Sequence, residues 1–358
     1  MLHKESRLLR VGVLGAGPIA QAAHFDACRK ARNAELYAIC DSAEDLVTRM
    51  VAIHQPRVAY LDYNDLLADA QVEAVIIATA DEFHISLAQQ AIAAGKHVLI
   101  EKPLGVNVEQ CETLRDDLHG TELVVQVGHN RRFDPGIAFA QRFAGERIGP
   151  IFAIKTWYYD SVERYTMTDN LQPPPIISEQ ARRPTNNPKA NKQRYFLLTH
   201  GSHLVDTTRF LAGEIESVHA RFVERGGAHC WFVQAAFVTG SVGHLDLIVP
   251  IQGDFEEGFQ IFCEKGSATG RTYLPWYHMA SYVECFAADD QQYHRPLGAN
   301  SHSYKLQVEG FADTILHKLP MLGASIDDGI ASIRALVAIA RSVKQAEWVR
   351  LADVTGGI

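Results

Sequence analysis

Val11-Gly12-Val13-Leu14-Gly15-Ala16-Gly17-Pro18-Ile19-Ala20 is the stretch on which the reading of this chain turns. A mostly apolar run leads into a glycine-rich turn, and an alanine-rich segment from Ile19 to Ala31 follows with helical character. Strand, tight turn and helix in that order are the setting in which a G-x-G-x-x-G/A pattern binds a dinucleotide. Gly15 permits the sharp turn. Gly17 lacks the Cβ that would hold a pyrophosphate away from the backbone, and Ala20 lets helix and strand pack closely. The helix start, entered through Pro18 and Ile19, presents free N–H groups to the phosphates.

Downstream, Leu36–Cys40 reads as a second strand that ends at Asp41. Asp41 follows Gly17 at roughly the 20-residue separation expected of the carboxylate that holds the adenosine ribose. Ser42-Ala43-Glu44-Asp45 comes next, and no Arg or Lys appears before Arg49. A ribose 2′-phosphate would meet carboxylates there, which favours NAD over NADP. A helix over Ala43–Ile53, a strand at Val58–Tyr60 and the apolar run Ala74–Ala78 continue the alternation. The turn Thr79–His84, a helix over Ser86–Ala94 and the strand Val98–Ile100 lead to Glu101-Lys102-Pro103. Strands alternating with helices predict a doubly wound parallel sheet. Ligands bind such sheets beyond the carboxyl ends of the strands. Gly15, Asp41, Thr79, Glu101 and Lys102 all fall at such ends, and Lys102 is the first candidate there for moving a substrate proton.

The composition agrees with an ordinary globular α/β protein: 358 residues, 47% hydrophobic and 21% charged. A net charge of −8 argues against nucleic acid or an acidic membrane as partner. Six cysteines without a C-x-x-C pair read as free thiols of a reducing compartment. The first strand begins about ten residues after Met1, too soon for a signal peptide, and no apolar run reaches membrane-spanning length. The expectation is a cytoplasmic protein.

Beyond the first half, Val124–Gly128 reads as a strand, Pro135–Arg147 as a helix and Ile151–Tyr159 as an aromatic-rich strand whose Trp157, Tyr158 and Tyr159 are candidate walls of a sugar site, with about half of them expected in the core. Ser161–Arg194 is long, irregular and proline-rich. Its part from Arg182 to Arg194 is basic without an acidic residue. That part is either a solvated loop packing on a neighbouring subunit or a cover that meets an anionic group such as a sugar acid. Strands over His244–Val249, Gly258–Glu264 and Tyr282–Phe286 follow, then a helix over Tyr304–Leu316. Ser325 with Asp328 forms a capping box, and Ile330, Ile333, Val337 and Ala340 mark one apolar helical face.

Five motifs give the chain a resemblance to the Gfo/Idh/MocA oxidoreductases, the family of glucose-fructose oxidoreductase and inositol dehydrogenases. They are Gly15-Ala16-Gly17-Pro18-Ile19-Ala20, Ala78-Thr79-Ala80-Asp81-Glu82-Phe83-His84, Ala94 through Glu101-Lys102-Pro103-Leu104, Gly128-His129-Asn130-Arg131-Arg132-Phe133-Asp134-Pro135, and His200-Gly201-Ser202-His203-Leu204-Val205-Asp206. The resemblance implies a Rossmann domain over 1–127. It also implies a substrate-binding and oligomerisation domain over 128–358, with a large open, mainly antiparallel sheet and C-terminal helices packing back on the first domain. It makes Lys102 the catalytic lysine and His203 its partner on the substrate hydroxyl. Glu101 matches a residue near the nicotinamide ribose, and His84 and Asn130 join the cofactor set. Arg131 falls near a position that touches substrate, with Thr199 and Asp206 as further candidates.

The family pattern has an aspartate four residues before that histidine, and here Thr199 stands there. With a helix starting near His200, Thr199 reads as its N-cap. His203 then lies in the first turn on the side of Asp206, where the positive helix end favours a neutral imidazole suited to accept a proton. His200 and His203 lack a third ligand at a supporting spacing, so no metal is expected. The resemblance implies an NAD-dependent dehydrogenase of a sugar, sugar acid or cyclic polyol, assembled as a homodimer or homotetramer. A non-catalytic dinucleotide- or sugar-sensing regulator stands as one alternative. The other is an enzyme of the same fold that uses tightly bound NAD internally.

Overall fold

The apolar runs of the first half become a six-stranded parallel sheet. The computed structural model describes residues 7–164, 169–184 and 187–358. Its first sheet holds β1 (Leu9–Leu14), β2 (Ala34–Cys40), β3 (Val58–Tyr60), β4 (Ala74–Ile77), β5 (His97–Ile100) and β6 (Val125–Val127). The order is β3-β2-β1-β4-β5-β6 and each pairing is parallel. The order reverses between β1 and β4, so the chain leaves those two strands in opposite directions and a crevice opens at their carboxyl ends. All four residues of β4 are buried, because helices cover both faces. Those helices are α1 (Phe25–Lys30), α2 (Glu44–His54), α3 (Tyr63–Ala68), α4 (His84–Ala93) and α5 (Val108–Asp116). Before α1, the turn Ala20–His24 is wound as a π-helix, a local widening common at functional sites.

Helix α6 (Pro135–Phe143) leads from the first sheet to a second one. Asp134 caps it by accepting the N–H groups of Gly136 and Ile137, and a π turn over Ala144–Ile148 replaces the last α-helical turn expected there. The second sheet is assembled from β7 (Ile151–Ser161), β8 (Ile215–Arg225), β9 (Ala228–Phe237), β10 (Val242–Ile251), β11 (Glu256–Cys263), β12 (Gly266–Thr272), β13 (Tyr282–Ala287), β14 (Gln292–His294) and β15 (Val349–Arg350). Its order is β14-β13-β12-β11-β7-β10-β9-β8-β15. The pairings are antiparallel except that β7 runs parallel to β10. Between β7 and β8 lie α7 (Lys192–Thr199) and α8 (Gly201–Ala212). Residues 165–168 and 185–186 of the long proline-rich stretch lie outside the described residues.

Two late helices tie the sheets together. Helix α9 (Ser303–His317) sets Tyr304, Val308, Phe311 and Ala312 into one buried cluster with Leu9, Val11 and Phe25. Helix α10 (Ile326–Gln345) buries Ile330, Ile333 and Val337. Five of the six cysteines are buried, and no helix among the described residues is long and apolar enough to cross a membrane. Ser325 and Asp328 cap α10 reciprocally, each side chain accepting from the other's backbone N–H. Ser325→Ala is expected to lower stability by about 1 kcal/mol, read as a lower midpoint in urea unfolding.

Candidate active site

The first sheet brings four turns together at its carboxyl edge. Gly15 has φ +94°, and a Cβ there would lie 2.8 Å from the Ala78 carbonyl oxygen. No other residue fits between the first turn and the third. A Cβ on Gly17 would meet nothing within 4 Å, so its backbone faces open space. Pro18 beside it is exposed, and Ile19 lines a cavity at this edge. Asp41, just past β2, accepts the Ala16 N–H through Oδ2 at 2.8 Å and the Ala43 N–H through Oδ1 at 3.0 Å. Its carboxylate is thereby locked against the glycine turn. Thr79 lines the cavity, and buried His84 stands between the carbonyls of Thr79, 3.2 Å away, and Pro103, 2.8 Å away. It joins the turns after β4 and β5. Bare backbone at Gly17, helix-start N–H groups and a fixed carboxylate at the ribose distance suit a dinucleotide.

The turn after β5 carries the charges. Glu101 is buried; it accepts from His24 Nε2 at 2.9 Å and from the Lys102 backbone N–H at 3.0 Å. Burial alone would raise its pKa, but His24 and Lys102 outweigh that and hold it below the usual glutamate value. Burial pushes the Lys102 ammonium the other way, below the usual lysine value, against the pull of Glu101. Lys102 Nζ donates to the Thr199 carbonyl at 3.3 Å.

That carbonyl belongs to the junction of α7 and α8, where the structure corrects the sequence reading. Thr199 is not an N-cap. It closes α7, and its hydroxyl donates to the Tyr195 carbonyl at 2.7 Å. Helix α7 runs into α8 with only His200 between, and the His200 N–H is already bonded to Phe196 O at 2.9 Å. Little remains there for a cap to satisfy. His203 sits in the first turn of α8, its ring stacked on Tyr158 with centroids 6.0 Å apart and an interplanar angle of 2°. Burial, then Lys102 and Arg131, push its pKa well below the usual histidine value. Its Nδ1 has no hydrogen-bond partner among the described residues.

Lys102, Tyr158, Arg164, Tyr195, Thr199 and His203 line two joined cavities of about 350 and 420 Å³. The first reaches Thr79, Glu101, Arg131, Trp276 and Tyr304. The second reaches Asp160, Ser161, His200 and Pro250. Arg131 borders the first cavity, but its guanidinium is engaged: Nε donates to Glu257 at 3.0 Å, and Nη2 completes the bidentate pair.

Three expected site residues lie elsewhere. Tyr159 bonds Asp246 at 3.3 Å on the opposite face of β7, because side chains alternate along a strand; Tyr158 takes the cavity side. Asp206 is buried in a bidentate pair with Arg132, at 2.7 and 3.0 Å. Asn130 is buried with its amide donating to Ser303 Oγ at 3.1 Å. The basic segment stays largely exposed but makes contacts with its own chain: Arg182 lies over Phe83, Lys189 over Tyr195, and Arg194 donates to Ile358 O.

Residues 9–129 match the oxidoreductase family with an NAD-binding Rossmann fold, and residues 140–269 match the C-terminal domain of the same family. The chain belongs to the Gfo/Idh/MocA family. Inositol 2-dehydrogenase of Rubrobacter xylanophilus is 26% identical over 348 residues, covering 93% of this chain and 90% of that one. A 4-carboxy-2-hydroxymuconate-6-semialdehyde dehydrogenase of Sphingobium is 25% identical over 272 residues, covering 74% and 79%. Levoglucosan dehydrogenase in complex with NADH shares the fold, with a TM-score of 0.79 and 20% identity over 97% of this chain and 100% of that one.

This Gfo/Idh/MocA protein is thus an NAD-binding oxidoreductase. Sequence reading missed His24, Tyr195, Trp276, Tyr304 and Glu257. Nothing local signals these residues, whose partners lie far away in the chain, whereas Tyr158, one of the three aromatics expected as walls, does line the cavity. In Gly15→Ala, the added methyl and the positive φ should cut NAD affinity at least about tenfold. Titration calorimetry with NAD checks this.

Proposed function

We propose that this protein is an NAD-dependent dehydrogenase. It would transfer a hydride between the nicotinamide and a secondary alcohol or ketone of a sugar, sugar acid or cyclic polyol. One observation carries the reading: Lys102 and His203, both with pKa values depressed by burial, line one cavity with the turns that suit NAD. The domain division at 127/128 fits it, with the dinucleotide turns before and His203 after. Gly15, Gly17, Pro18, Ile19, Asp41, Thr79, His84 and Glu101 serve the cofactor. The named dehydrogenases among the relatives support the substrate class.

Bound NAD supplies a hydride acceptor. The chain's own residues handle the proton. His203, neutral at physiological pH, accepts the substrate hydroxyl proton at a bare ring nitrogen as the C–H bond gives up its hydride. The Lys102 ammonium donates a hydrogen bond to the same oxygen and stabilises the charge that develops there. The alcohol becomes a ketone, and the reverse reaction returns the same proton.

Lys102→Ala should abolish NADH formation, by at least about a hundredfold, while calorimetry still detects NAD binding. Absorbance of NADH against a panel of inositols, aldoses and sugar acids is the assay, and unchanged turnover in the variant would remove Lys102 from the mechanism. The pH profile follows from the two depressed groups. Oxidation needs neutral His203, so its rate falls on the acid side only well below 6.5. It also needs protonated Lys102, so it falls on the alkaline side below 10.5. His203→Gln should lose the acid limb of kcat/KM.

A further inference from the structure

The described part of the proline-rich stretch, residues 169–184, has no part in the proton chemistry. It lies instead across three of the turns at the cofactor edge. At the glycine turn, Gln21 Nε2 donates to Ala16 O at 2.8 Å and to Ile176 O at 2.9 Å, while its Oε1 accepts the Ile176 N–H at 2.8 Å. Gln172 donates to Ala22 O at 3.1 Å. In the first turn of α2, just past the turn after β2, Asp45 accepts from buried Ser178 through Oδ1 at 2.6 Å. At the turn after β4, the Arg182 guanidinium lies 5.4 Å from the centre of the Phe83 ring.

We infer that residues 172–182 form the outer wall of the dinucleotide site and close over its adenosine half. The argument is one of position. A dinucleotide with its pyrophosphate on Gly17 and its adenosine ribose on Asp41 runs from the first turn to the second. Ile176 is hydrogen-bonded at the first turn and Ser178 just past the second, only two residues later. The segment therefore spans the same path as the ligand, on its solvent side. A Cβ on Gly17 would meet nothing within 4 Å, so the segment does not press on that turn. Pro173-Pro174-Pro175 restrict the backbone just before the contacts, so less chain entropy is lost when the wall docks. NAD can then enter or leave only when the Gln21–Ile176 and Ser178–Asp45 bonds open. This assignment rests on the dinucleotide site alone, so it can fail while the Lys102–His203 chemistry stands, and the reverse.

The test follows NADH release from the full-length protein by stopped-flow fluorescence, with excess NAD displacing it. Ser178→Ala removes a hydrogen bond to a carboxylate, and release should quicken about tenfold; Gln21→Ala should do the same. Release within twofold of wild type in both variants overturns the proposal. A second readout needs no variant. Arg182, followed by Arg183, is an exposed trypsin site at the end of the wall, whereas the Arg183–Pro184 bond resists trypsin. Saturating NADH should slow cleavage after Arg182 in the wild-type protein several-fold, whereas equal cleavage with and without NADH overturns the proposal.

Discussion

The Lys102 ammonium, largely withdrawn from water at the end of β5, is the constraint around which the rest of the site is arranged. A cation there requires a countercharge, and Glu101 supplies it from the adjacent position. Glu101 is itself buried, so it needs donors of its own, and it takes them from the Lys102 backbone and from His24. His24 belongs to the π turn that follows the glycine loop. One chain of charge compensation therefore ties the lysine to the cofactor turn. Removing a partner from such a buried set typically costs about 3–5 kcal/mol, because a charge is left without compensation. The spacing between the glycine turn and the lysine is thus held by electrostatics as well as by packing.

A second buried network fixes the other half of the site. Consecutive arginines on the turn after β6 point in different directions. Arg131 pairs with Glu257 on β11. Arg132 pairs with Asp206 on α8 and with Asp328 at the cap of α10. Arg209 joins Asp328 and Glu214. Buried pairs of this kind add little net stability over apolar packing. They do require one geometry. Asp206 lies three residues after His203 on α8, so clamping Asp206 also sets the rotation of the helix that carries His203.

Much of this was readable in the sequence, and the boundary has a physical origin. The glycine turn, Asp41 and the Glu101-Lys102 strand end were legible because each depends on a few neighbouring residues and on the period of one element. The same holds for the Ser325–Asp328 box. Of the three aromatics Trp157, Tyr158 and Tyr159, Tyr158 takes the cavity side and Tyr159 the opposite face, since alternation shows that adjacent residues face apart without saying which faces the cavity. Asp206 and Asn130 were misread because their partners, Arg132 and Ser303, are distant in the chain, and no periodicity reports such a pairing. Thr199 looked like a cap because α7, which precedes it without a break, was hidden in a basic, proline-bordered stretch. The docking of residues 172–182 was equally hidden, since it depends on Gln21 and Asp45 about 130–155 residues away.

Thr199 also bears on how the proposed chemistry divides between its two residues. Its hydroxyl is committed to Tyr195 O, and it carries no charge, so it offers His203 no carboxylate. His203 Nδ1 is left without a partner among the described residues, while burial and the nearby Lys102 and Arg131 charges disfavour its protonated form. An imidazole so situated is reliably neutral, and it is also a weak base. A weak base can take a hydroxyl proton efficiently only if that proton is made more acidic. In the proposed chemistry, the ammonium of Lys102 donates to the reacting oxygen and has that effect, because a charge withdrawn from bulk solvent acts more strongly. On the proposed reading, Lys102 therefore carries the larger share of the work and His203 the smaller. This division follows from having a threonine, rather than a carboxylate, one helical turn before the histidine.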